Sequence, residues 1–115
     1  MIFNIIKDRR DKMEKRFSEM SKEELELALI KFKEGAMKKH QAGFFSEAAI
    51  LEQKFYTAKS YLMNPKDFHP GMEYTVIGYE QPFKITYLNG IMAWGVFKDQ
   101  EEEVAFPISR LQEVE

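Results

Sequence analysis

His40 and His69 are the only histidines of the chain, and neither has the company that catalysis requires. His40 closes a Lys38-Lys39 run, and His69 stands before a proline in a turn. A serine nucleophile needs a base and a third group that orients the base, and neither histidine lies in a Ser- or Asp-rich context. A metal would need ligands at a spacing such as His-Glu-x-x-His, which is absent, as are a Walker loop and Gly-x-Gly-x-x-Gly. The chain has no cysteine, so disulfides, thiol nucleophiles and thiolate metal sites are excluded together. Carboxylates do cluster at Glu101-Glu102-Glu103 beside Asp99. Successive residues of a loop or strand point apart, so the run reads as a solvated connection that blunts a sheet edge. The expectation is a protein that is not an enzyme and takes no cofactor or metal.

Binding is the chemistry that remains. The densest cationic stretch is Lys31, Lys33, Lys38, Lys39 and His40, and Tyr79 and Phe97 are aromatics that could stack on bases. Net charge is −2, unevenly divided. Residues 1–63 hold 13 Lys/Arg against 10 Asp/Glu, and residues 64–115 hold 4 against 9. Each phosphate contact needs a cation, and from the first expected strand onward the chain offers only Lys84, Lys98 and Arg110. The bland reading of the lysines is a solvated helix face whose cations suit the helix C-terminus. The charge split would also let copies of the chain associate.

The elements that must position these residues fall into two kinds. Ser21-Lys-Glu-Glu24 reads as a capping box that starts a helix. Leu25, Leu29, Phe32 and Ala36 form one apolar face, and Gly43 ends the helix as a left-handed cap. A second helix is expected from about Phe45 to Leu62, with Ala48, Leu51, Phe55, Ala58 and Leu62 as its stripe. The short gap forces the pair antiparallel. Asn64-Pro65 then stops helical structure. Strands are expected at Met72–Ile77, Phe83–Leu88, Ile91–Phe97, Glu102–Phe106 and Leu111–Val114, with a 3₁₀ turn at Pro107–Arg110.

Asn89-Gly90 is a strong signal for a two-residue hairpin turn. That turn pairs Tyr87 with Met92, Ile85 with Trp94 and Phe83 with Val96, and it puts Trp94 inside. A peptide groove of the proline-rich type would need a longer loop than Gly78–Pro82. The expected fold class is α+β: an N-terminal antiparallel helical hairpin (residues 13–63) followed by a five-stranded SH3-like β-barrel (residues 64–115). At 115 residues the chain can bury a core without staples. No apolar run is long enough to span a membrane, and basic residues follow rather than precede the apolar start, the wrong order for a secretory signal. The cytoplasm is the expected location.

Four stretches resemble the YfhH-like proteins of Gram-positive bacteria: Met13-Glu-Lys-Arg-Phe-Ser-Glu-Met20, Tyr61-Leu-Met-Asn-Pro-Lys-Asp-Phe-His-Pro-Gly71, Tyr87-Leu-Asn-Gly-Ile-Met-Ala-Trp-Gly95 and Ala105-Phe-Pro-Ile-Ser-Arg-Leu111. The resemblance implies the same hairpin joined to a barrel, and no activity or catalytic residues. It begins at Met13. Arg9-Arg10 encoded by two AGG codons would form a ribosome-binding site at normal spacing, which makes Met13 the expected start and residues 1–12 a non-native leader. The alternative is a helical extension that packs Ile2, Ile6 and Phe17.

Two functional readings follow. The leading one is a non-catalytic interaction or regulatory module of the bacterial cytosol, bound to a protein partner not identified by the sequence. The second is a nucleic-acid-binding accessory factor of transcription that uses Lys31, Lys38, Lys39 and His40.

Overall fold

The computed structural model describes residues 15–114. The reading of residues 1–12 as leader or extension falls outside those residues. After a short 3₁₀ turn at Phe17–Glu19 come two helices, α1 (Lys22–Gln41) and α2 (Phe45–Ser60). The capping box forms as expected: Ser21 Oγ accepts from the Glu24 N–H at 3.2 Å, and the Glu24 carboxylate accepts from the Ser21 N–H at 2.9 Å. That backbone N–H, with Lys15 at 2.9 Å, holds the Glu24 carboxyl below its ordinary value. Gly43 takes φ +86°, and the next N–H, of Phe44, reaches back to the Lys39 carbonyl at 2.8 Å. The apolar stripes meet in this hairpin, with Leu25, Ala36, Ala48 and Ala58 buried. Helix α2 ends at Ser60, short of Leu62, which is exposed.

The sheet has five antiparallel strands: β1 (Glu73–Val76), β2 (Phe83–Asn89), β3 (Met92–Phe97), β4 (Val104–Pro107) and β5 (Leu111–Glu113). Their order is β4-β3-β2-β1-β5. All five expected strands are present, and a 3₁₀ turn at Ile108–Arg110 precedes the last. The expected closed SH3-like barrel is not. Strand β4 pairs with β3 and β5 with β1, and no pairing joins the two ends of the sheet. The 3₁₀ turn that links β4 to β5 packs against α2, so the chain between the ends is spent on holding the helix. The molecule measures 56 × 33 × 24 Å, with α1 packed on α2 and α2 on the β4 end of the sheet.

The inner face of the sheet gathers Tyr74, Val76, Phe83, Ile85, Ala93, Phe106, Ile108 and Leu111, joined by Phe68 from the preceding loop. Here the register departs from expectation. The tight turn is centred on Gly90 and Ile91, so Asn89 pairs with Met92 and Tyr87 with Trp94. A bulge between Ile85 and Tyr87 then shifts the ladder, so Ile85 faces Gly95 and Phe83 faces Phe97. Trp94 is therefore not a core residue. It stands half-buried on the outer face, stacked on the 42%-exposed Tyr87 with centroids 5.9 Å apart and planes 4° from parallel. Ala93 and Gly95 turn inward in its place.

The hairpin is fastened to the sheet by a buried polar clamp. Ser60 Oγ, fully buried at the end of α2, donates to the Tyr56 carbonyl at 2.8 Å and accepts from the Ser109 N–H at 3.0 Å. Ser109 Oγ donates to the same carbonyl at 2.6 Å. Ser60→Ala leaves the Ser109 N–H buried without an acceptor. The expected cost is about 1–2 kcal/mol, read as a lowered midpoint in urea denaturation. An unchanged midpoint would show that water replaces the hydroxyl.

Candidate functional site

The sequence-derived candidates divide between two separate parts of the molecule. Lys31, Lys38, Lys39 and His40 lie on α1, the layer farthest from the sheet. Lys31 and Lys38 are exposed. Lys39 is engaged: its Nζ lies 3.0 Å from the Glu47 carboxylate and 5.3 Å from the Phe44 ring centre. His40 stands edge-on to Phe45, with 5.0 Å between ring centres. Tyr79 and Phe97 belong to the sheet and meet each other at 5.0 Å. Phe97 also packs on Phe83 and Phe106, so it works as a wall of the core rather than a free stacking surface. Tyr79 is 47% exposed and packs on Phe106 as well. The fold thus brings the two aromatics together but keeps them apart from the lysines. A nucleic-acid groove of cations interleaved with stacking rings is not assembled from this set.

The acidic run Glu101–Glu103 is exposed on the β3–β4 connection, as its sequence suggests. Among the described residues, no three His, Asp or Glu side chains converge on a metal-sized site. No described helix is long and apolar enough to cross a membrane.

Two features went unread in the sequence. One is a second apolar face on α1. Leu27, Ile30 and Met37 are 64%, 55% and 55% exposed, Leu27 and Ile30 on the side of the helix away from the Leu25–Ala36 stripe and Met37 on its flank, beside Phe32 and Ala36 at the groove between α1 and α2. Their spacing of three and seven residues is visible in the sequence, but the stronger stripe masks it. Lys31 and Lys38 follow Leu27 by four and eleven residues, which places them along the same outer side. Phe44 and Phe45 at the hairpin tip are also exposed, at 54% and 61%, and lie against Lys39 and His40. A face of this composition can receive an amphipathic helix with an acidic border. Its apolar anchors recur at helical intervals, and its lysines supply the complementary charge.

The other unread feature is the aromatic surrounding of Arg110. Its guanidinium carbon lies 5.5 Å from the Tyr56 ring centre, 5.6 Å from Tyr79 and 5.2 Å from Phe106. No sequence signal finds this cage, because its walls come from α2, the β1–β2 loop and β4.

Comparison with known proteins agrees with the motif resemblance. Residues 15–112 match the family described as "Protein of unknown function (DUF1811)". The "Uncharacterized protein YfhH" of Bacillus subtilis (strain 168) is 46% identical over 104 residues, which cover 90% of this chain and all of that relative.

Proposed function

We propose, from the premise that this chain belongs to the DUF1811 family of YfhH-like proteins, that it serves as a non-catalytic protein-interaction module of the bacterial cytosol. The observation that carries this reading is the exposed apolar surface of α1: one face is used by the fold, while Leu27 and Ile30 on the other and Met37 on its flank stand open to solvent. Large apolar residues gathered on the exposed side of a solvated helix mark a surface for a partner. The partner has an amphipathic helix whose apolar stripe covers that face and whose acidic border meets Lys31 and Lys38.

The double variant Ile30→Asp/Met37→Asp tests the site. Both residues are more than half exposed, so the unfolding midpoint is expected to stay within about 1 kcal/mol of the wild type. Capture from native lysate, treated with nuclease and run at low and moderate salt, is then compared between the two. An acidic protein held by the wild type through nuclease, and lost at least ten-fold by the variant, is the expected result. Equal capture by both overturns the reading. Nucleic acid released by nuclease and by salt would support the transcriptional accessory factor instead, with Lys31 and Lys38 as its phosphate contacts.

A further inference from the structure

A guanidinium drawn into a protein normally finds a carboxylate, because its desolvation is otherwise uncompensated. Arg110 has none among the described residues, where the ion pairs are Lys15–Glu24 and Lys39–Glu47. Its Nη2 donates to the Ile77 carbonyl, and its Nε is shut off from solvent with no hydrogen-bond partner. The three surrounding rings fix the group in place by cation–π contact without neutralising it.

Beside it, between α2 and the β4 end of the sheet, opens a cleft of about 520 Å³. Tyr56, Ile77, Met92, Ala105, Pro107 and the guanidinium contribute to its lining. Such a volume is within the range of small-ligand sites, which combine apolar walls with a few placed polar groups. Glu52 of α2 also lines the cleft, and it opposes an anion rather than attracting one.

We propose that this cleft binds a small organic carboxylate, its apolar body against Met92, Ala105 and Pro107 and its carboxylate on Arg110. With Nε sealed and one Nη2 hydrogen held by the Ile77 carbonyl, the outer Nη hydrogens are the ones left to meet a carboxylate, and the ring cage spends in advance the entropy of ordering the long side chain. Apolar surroundings raise the strength of the charge contact above its value in water. The site is independent of the outer face of α1, so either can fail alone.

The test is titration of the full-length ¹⁵N-labelled chain with hexanoate, followed by the Arg110 Nε–H and the amides of Ile77 and Ala105. Hexylamine and inorganic phosphate are the comparison probes. Hexanoate is expected to shift these signals saturably, and hexylamine to leave them in place. Glu52→Gln removes the opposing carboxylate and is expected to tighten hexanoate about two- to five-fold. Ala49→Phe fills the cleft from the exposed side of α2, leaves the cage intact and is expected to abolish the shifts. Equal shifts with hexylamine, or shifts indifferent to both substitutions, would overturn the proposal. Phosphate matching hexanoate would overturn the part assigned to the apolar walls.

Discussion

Phe83→Ala is expected to remove about 3–5 kcal/mol of stability, a large part of what a domain of this size has. Phe83 is fully buried at the centre of the sheet, edge-on to Phe97 at 5.4 Å and to Phe106 at 5.3 Å. Truncation removes the ring's transfer energy, opens a cavity and breaks both aromatic pairs. Trp94→Ala, at the chain's only tryptophan, is expected to cost about 1 kcal/mol, the scale of a cross-strand pair on an open face. Urea denaturation of both variants at equal slope decides the matter. If the tryptophan variant lost more than the phenylalanine variant, the bulge and the whole β2–β3 register would be wrong.

Gly95→Ala is expected to cost about 2–3 kcal/mol, the scale of forced overpacking, although it adds a single methyl group. A Cβ built at Gly95 would lie 2.0 Å from the Lys84 carbonyl oxygen and 2.9 Å from the tip of the Phe83 ring. The carbonyl belongs to a paired strand, so it cannot swing away as a side-chain end could. Glycine in a strand interior commonly marks such a close approach, and here it sits opposite the bulge. Thr86→Ala, an exposed change within the same bulge, should stay within about 0.5 kcal/mol. Differential scanning calorimetry of the pair would show the contrast. Equal midpoints would mean that β2 moves aside at no cost.

These two residues also show what was legible in the sequence. The helices announced themselves locally: Ser21 and Glu24 cap each other across three residues, and Leu25 to Ala36 repeat at helical spacing. The five strands were legible for the same reason, through alternation and turn chemistry. The inner face of β3 was not. Reading hydrophobicity alone favours Met92, Trp94 and Val96 over Ala93 and Gly95. The sheet needs the small residues inside, because Phe83, Phe97 and Phe106 already fill that space. A bulge shifts facing by one residue and leaves no mark in a period-two pattern. Barrel closure was illegible for a related reason, since it depends on whether distant β4 and β5 meet. The structure commits the intervening turn to the Ser60–Ser109 clamp instead. Of the candidate site, the exposed lysines were legible as a run on one helix. The Arg110 cage was not, because it is a meeting of Tyr56, Tyr79 and Phe106 from segments far apart in the chain.

Because α1 packs on α2, and the serine clamp holds α2 to the sheet at Tyr56 and Ser60, the hairpin tip beyond the cleft is free to vary in length. Whole turns added in register to both helices, about 5.4 Å each, would lengthen the arm. The serine clamp, the arginine cage and the sheet would stay where they are. The reach of this arm can therefore diverge between related chains without any change to the core that carries it.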